Sequence, residues 1–148
     1  MPMSTRPFAS RTCPASGLPV SLNVSPRQLT DSDFVSAVLS RVADWSLSPG
    51  SLVFEVTEAA LNRDPVRAQT AIKELRALGM RVCLDDFGAG FSTFAYIKQL
   101  PVDIIKIDGL FVRNLARERD NQVFVRAMLD IARGFGKQVV AEAVEDEQ

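Results

Sequence analysis

The 148-residue chain contains no histidine. That absence removes Ser–His and Cys–His nucleophile pairs and every histidine-ligated zinc site, so any chemistry falls to carboxylates, amides and lysine. Oxygen donors of that kind suit magnesium, manganese or calcium. An excess of charge of either sign is also lacking: 17 basic and 18 acidic residues leave a formal net charge of -1. Such a balance offers no footprint for duplex nucleic acid or an anionic membrane, and a phosphate ligand would have to be held locally. No apolar run approaches the roughly 20 residues of a membrane helix, and the first residues lack the apolar segment of a secretion signal. A cytoplasmic protein without membrane insertion is expected. Cysteine is scarce too. Cys13 lies in a loop-like stretch and Cys83 in an apolar strand, which makes no disulfide framework, and Cys83 reads as a small core residue.

What is present is enough for one domain, since 47% of the residues are hydrophobic. Residues 1–18 are rich in proline and serine with little periodicity, and read as a disordered or non-domain leader ahead of a domain over 19–148. From Pro19 the texture alternates. Val20 to Val24, Leu52 to Val56, Met80 to Leu84, Val102 to Ile107 and Val139 to Ala141 read as five strands. Between them, Thr30 with Asp33 resembles a capping box opening a helix through Phe34, Val38, Val42 and Trp45. Asp64, Pro65 and Gly79 frame a second helix with Ala68, Ile72, Leu75 and Leu78 on its core stripe. Further helices are expected over Ser92 to Leu100, around Leu110 to Leu115, and from Asn121 to Gly136 through Phe124, Met128 and Ile131.

Strand–helix alternation points to parallel strands covered by helices, in either a doubly wound sheet or a (β/α) barrel. Polar residues stand at the C-terminal ends of all five strands: Asn23, Glu55 with Glu58, Asp85 with Asp86, Lys106 with Asp108, and Glu142 with Glu145. A barrel gathers such ends onto one face, which favours the barrel. A full barrel takes about 250 residues, so this chain is expected to supply about five of its eight strands.

The stretch Asp85-Asp86-Phe87-Gly88-Ala89-Gly90 follows the apolar strand directly. Two carboxylates against a core need an offsetting cation, a lysine or backbone N–H groups, so the pair alone is either a metal site or a capped strand end. Asp86-Phe87-Gly88 also mimics a kinase metal motif, but no glycine-rich loop or His-Arg-Asp segment accompanies it. Asn23-Val24-Ser25 is formally a glycosylation acceptor and is discounted without a secretory signal.

As a set, Ser21-Leu22-Asn23-Val24-Ser25, Glu55-Val56-Thr57-Glu58, Asp85 through Ser92, Lys106-Ile107-Asp108 and Ala141-Glu142-Ala143-Val144-Glu145 resemble the EAL domain in order and spacing. That family consists of bacterial cyclic di-GMP phosphodiesterases. The resemblance implies hydrolysis of cyclic di-GMP to linear pGpG with two magnesium or manganese ions. Carboxylate-held ions of this kind lower the pKa of a bridging water and clamp the phosphate. It further implies that Asn23, Glu55, Asp85, Asp86 and Glu142 hold metal, with Asp85 bridging the ions. Lys106 and Glu142 would act at the water and the reacting phosphate, Glu58 would steady the loop after the Asp pair, and Asp108 would contact substrate or water.

The family's Glu-Ala-Leu segment does not precede Asn23, and Ala143 stands where the family's motif has glycine. The expectation is therefore a partial TIM-type barrel truncated at both ends, which a second copy or a complementing chain would complete. A non-catalytic remnant that binds nucleotide or protein is the alternative.

Overall fold

The structure, a computed structural model, describes residues 19–44, 47–88 and 94–144. The expected leader, Trp45, the loop 89–93 and Glu145 lie outside the described residues. Five strands form: β1 (Val20–Val24), β2 (Leu52–Thr57), β3 (Arg81–Phe87), β4 (Ile104–Ile107) and β5 (Gln138–Ala141). All neighbours pair in parallel, in the order β1-β2-β3-β4-β5. A doubly wound sheet reverses its order at a switch point, whereas a barrel adds each strand beside the last. The unbroken order makes this an α/β fold built on part of a TIM-type barrel.

Seven helices connect or flank the strands: α1 (Pro26–Leu29), α2 (Phe34–Asp44), α3 (Glu58–Arg63), α4 (Pro65–Ala77), α5 (Phe94–Gln99), α6 (Gly109–Val112) and α7 (Arg119–Gly134). The period-2 pattern of the strands sends Leu52, Phe54 and Val56 of β2, Val82 and Leu84 of β3, and Ile105 and Ile107 of β4 to one side. There they meet Ala68, Ile72 and Leu75 of α4 and Met128 and Ala132 of α7 in one continuous core. Burying a Leu or Ile of this kind contributes about 1.5–3 kcal/mol each. On the opposite side the buried apolar cluster among the described residues is the small set Val53, Cys83 and Ile104, each followed on that face of its strand by a polar residue. The sheet is therefore greasy under its helices and polar on its other face, where the site lies.

Several local expectations are corrected. Thr30 does not cap α2; its hydroxyl donates back to Pro26 O and Arg27 O of α1. The capping box belongs to Ser25 and Gln28, which open α1 around Pro26 at its start. An extra turn of helix, α3, intervenes before α4, capped by Thr57 accepting from Ala60 N. The frame of α4 is as read: Asp64 Oδ1 accepts from Arg67 N, Pro65 opens it, and Gly79 ends it at φ +86°. β3 runs three residues further than expected, through Phe87.

That extension contains the feature that shapes the site. Leu84 pairs with Ile105 and Phe87 with Ile107, so three steps on β3 face two on β4, with Asp85 and Asp86 together opposite Lys106. Asp86 takes φ +55°, and this single left-handed residue makes the bulge. Asp is among the few non-glycine residues that tolerate that conformation. Both carboxylates can then lie on one side while Leu84 and Phe87 stay in the core.

The N-terminal end of the sheet is tied by conventional clamps. Asp103 accepts from Val82 N at 2.9 Å and from Arg76 Nη2 at 2.8 Å, and Lys137 donates to Leu100 O and Val102 O. These fasten the entries of β3, β4 and β5, away from the polar strand ends.

Gly88, just after the bulge, has φ +99°, and a Cβ there would come 2.8 Å from Phe111 and 2.9 Å from Phe124. Those two rings stack with centroids 4.1 Å apart, tying α6 to α7. Gly88→Ala is expected to lower the unfolding free energy by about 2–4 kcal/mol through backbone strain and overpacking. Urea titration checks this, and a loss below about 0.5 kcal/mol, the ordinary surface value, would contradict it.

Candidate metal centre

The period-2 alternation brings Asn23, Glu55, Asp85 and Lys106 to the polar face, from four consecutive strands. Glu142 enters from the end of β5, where its N–H donates to Ile107 O at 3.2 Å and continues the ladder. The Lys106 ammonium lies among three of these carboxylates, 3.2 Å from Glu55 Oε2, 2.9 Å from Asp85 Oδ1 and 2.5 Å from Glu142 Oε1. Burial works against its charge, but hydrogen bonds to Glu142 and Asp85, then the Asp85 charge and the Glu55 bond, outweigh it. The ammonium is held well above the usual lysine range.

One ammonium does not neutralise the set. Carboxylate oxygens of Asp85, Asp86 and Glu142 lie within 4.8 Å of one another, and Glu55 is joined to them through Lys106. Four carboxylates against one lysine leave a formal excess of three negative charges. Asp86 registers the crowding: partial burial, then Asp85, then Asp108 push its carboxyl above the ordinary aspartate value, with Lys106 only partly offsetting them. Cys83 lies beneath the cluster, where burial and then the Glu55 charge push its thiol up to about 12. It is an inert core thiol.

Hard divalent cations bond oxygen at about 2.0–2.6 Å, so two ligands of one ion stand at most about twice that apart. The Asp85, Asp86 and Glu142 oxygens meet that limit, and an all-carboxylate donor set with excess negative charge suits magnesium or manganese. The residues present therefore fit a divalent cation.

The remaining predicted residues sit around this centre. Asn23 is paired in register with Glu55, is exposed, and makes no side-chain hydrogen bond among the described residues. It stands beside the cluster, joined to it only across the β1–β2 ladder. Glu58 opens α3 and is 6% exposed; its Oε1 accepts from Gly88 N at 3.4 Å. Its Oε2 is buried with no partner among the described residues. Glu58 thus reaches from the end of β2 to the first glycine after the Asp pair. Asp108 caps α6, its Oδ1 accepting from Leu110 N at 2.7 Å, and so spends one oxygen on structure.

Asp108 and Glu142 also line an open cleft together with Gly109, Leu110, Arg113 and Ala143. Arg113 is a residue that sequence reasoning missed: an exposed cation, with no side-chain hydrogen bond or ion pair among the described residues, beside two candidate site carboxylates. Its only signal was its place one helical turn past Asp108, at the C-cap of α6.

Residues 5–148 match the EAL domain family. The chain is 34% identical over 129 residues to the cyclic di-GMP phosphodiesterase PdeB of Shewanella oneidensis, covering 87% of this chain and 15% of that protein. The crystal structure of the EAL domain of Mycobacterium smegmatis DcpA agrees with a TM-score of 0.82 at 38% identity, over 88% of this chain and 58% of that one. Klebsiella pneumoniae BlrP1, in a complex with manganese and cyclic di-GMP, agrees with a TM-score of 0.79 at 29% identity, over 86% of this chain and 33% of that one. The chain spans 15–20% of the length of the curated relatives it matches. No helix among the described residues is long and apolar enough to cross a membrane. With the family matched over almost its whole length, and its sheet agreeing in fold with solved EAL domains, the chain belongs to the EAL domain family.

Proposed function

We propose that the carboxylate cluster is a divalent-cation site for hydrolysing one phosphodiester bond of cyclic di-GMP to give linear pGpG, in the cytoplasm. The observation that carries this reading is the convergence of Asp85, Asp86 and Glu142 within 4.8 Å, with Lys106 against two of them. The relative named a cyclic di-GMP phosphodiesterase and the neighbour complexed with manganese and cyclic di-GMP support the substrate and the ion type.

In this reading Asp85, Asp86 and Glu142 would hold the divalent cations, two being expected, and Glu55 and Asn23 would complete the donor set from β2 and β1. Bound there, magnesium or manganese supplies a hydroxide-like water at neutral pH and offsets phosphate charge. Glu142 would take one proton of the attacking water as the P–O bond to the leaving ribose oxygen breaks and that oxygen gains a proton from solvent. Lys106, already bonded to Glu142, would pass from neutralising carboxylates to holding that water and countering charge on the phosphate. Glu58 keeps the turn at Gly88 in place. Asp108, with one oxygen capping α6 and a place in the cleft lining, would use its other oxygen for a substrate or water contact. Both outer strands of the described sheet, β1 and β5, have a free edge. A second copy or a complementing chain would pair there.

A non-catalytic, nucleotide- or protein-binding role is the second reading. It is favoured by the saturation of Lys106 with three carboxylates, which makes the cluster partly self-sufficient without a cation.

One prediction separates these readings, and a second tests the counter-charge that Lys106 supplies. With magnesium or manganese the chain is expected to convert cyclic di-GMP to pGpG, and Asp85→Asn to lower kcat on the order of 100-fold or more, since a metal ligand is lost. Chromatography of the nucleotides reads the outcome; no turnover at any concentration of either ion would leave the binding role. In chelator, Lys106→Met is expected to cost about 2–4 kcal/mol of stability at pH 7, because the carboxylates lose their counter-charge. The ammonium is held above the usual lysine range in the folded protein, so the deficit is fully present below the ordinary lysine pKa of about 10.4 and shrinks as pH rises above it. Denaturant unfolding across pH checks the sign, and a deficit independent of pH would contradict it.

A further inference from the structure

Two small residues meet between the ends of β4 and β5, each immediately following a candidate site carboxylate. Ala143, after Glu142, has φ +53°, a conformation that its Cβ makes unfavourable. Gly109, after Asp108, does not have a positive φ, so no backbone requirement calls for glycine there. Space does: a Cβ on Gly109 would lie 2.9 Å from the Ala143 Cβ, closer than two such carbons approach. The two positions share room for one methyl group, and Ala143 holds it.

We propose that Gly109 and Ala143 are a size-matched pair of positioning residues with room for no more than one methyl between them, which lets the ends of β4 and β5 close and thereby seats the Glu142 carboxylate against Lys106. The ladder bond from Glu142 N to Ile107 O fixes the strand up to Glu142, and the left-handed turn at Ala143 follows at once. Beyond that bond, the Glu142 segment meets β4 and its exit through the Lys106 ammonium on the Glu142 carboxylate and through the approach of Ala143 to Gly109, so the room at that approach bears on the direction in which Glu142 leaves the strand. A methyl at both positions drives the two strand ends apart and carries Glu142 away from Asp85 and Asp86. A methyl at neither leaves a small void and relieves the strain at residue 143. The positioning of Glu142 toward a cation rests on the divalent-cation reading of the cluster; the size matching does not.

Wild type, Gly109→Ala, Ala143→Gly and the double variant test the pair, with manganese binding read by calorimetry in the absence of nucleotide. Gly109→Ala is expected to bind manganese about tenfold more weakly, the lower range for a disturbed supporting residue. Ala143→Gly and the double variant are expected within about threefold of wild type, the second change rescuing the first. Wild-type binding by Gly109→Ala, or a double variant as weak as Gly109→Ala, would overturn the proposal. If Gly109→Ala does not fold, a folded double variant with near wild-type affinity supports the pair and an unfolded one overturns it. If wild type binds no manganese, the cation reading fails and with it the positioning role, while size matching is judged by thermal unfolding in chelator. A midpoint lowered by about 4 °C in Gly109→Ala and recovered in the double variant supports the matching, and equal falls in both overturn it.

Discussion

The Lys106 ammonium is the interaction on which the rest of this face depends. It stands between carboxylates from β2, β3 and the end of β5, and without it three negative charges would be brought together at the rim of an apolar sheet with no other ion pair to them among the described residues. Burial alone would lower the lysine's pKa; the three carboxylates outweigh that effect, and the ammonium keeps them gathered. This mutual support explains how the cluster can be assembled before any cation is bound. It also explains why the cluster is not finished: one positive charge against four carboxylates leaves a site that still attracts cations, and the Asp86 carboxyl is raised first by its burial and then by the Asp85 charge.

The second constraint is geometric. In a regular strand adjacent residues point to opposite faces, so an Asp-Asp pair would offer one carboxylate to the site and drive the other into the helix-covered core. The bulge at Asp86 resolves this by adding one residue to β3 against β4, after which Phe87 returns to the core opposite Ile107. Gly88 follows because the chain must then pass under the Phe111–Phe124 stack with no side chain of its own, and Glu58 reaches across from α3 to hold its N–H. Packing and chemistry meet in these four residues. The deep side of the bulge is anchored by the aromatic and aliphatic core, and the open side carries the charges.

Much of this was legible in the sequence, for reasons that can be traced to particular residues. The parallel strands announced themselves by apolar runs with polar ends, and α4 by Asp64, Pro65 and Gly79, because caps and strand periods are local properties. The convergence of Glu55, Asp85, Lys106 and Glu142 could be expected from a shared position at strand ends. What could not be read are relations between segments. The bulge depends on the register of β3 against β4, and the Gly109–Ala143 contact on the spacing of β4 and β5; neither spacing is written in one stretch. Thr30 misled because a hydroxyl at that spacing serves a helix start and a back-bond to the preceding turn equally well, and Ser25 with Gln28 held the start instead. Arg113 was invisible because a surface arginine acquires meaning only from what stands beside it.

Uptake of a divalent cation by the unbalanced carboxylates is the central property of this face. Crystals soaked in manganese chloride and measured at a wavelength where manganese scatters anomalously test this directly. The account predicts anomalous density in contact with the Asp85, Asp86 and Glu142 carboxylates, with Lys106 shifted away from at least one of its three partners to make room. An anomalous map empty at those carboxylates, with the Lys106 ammonium still bonded to Glu55, Asp85 and Glu142, would contradict it.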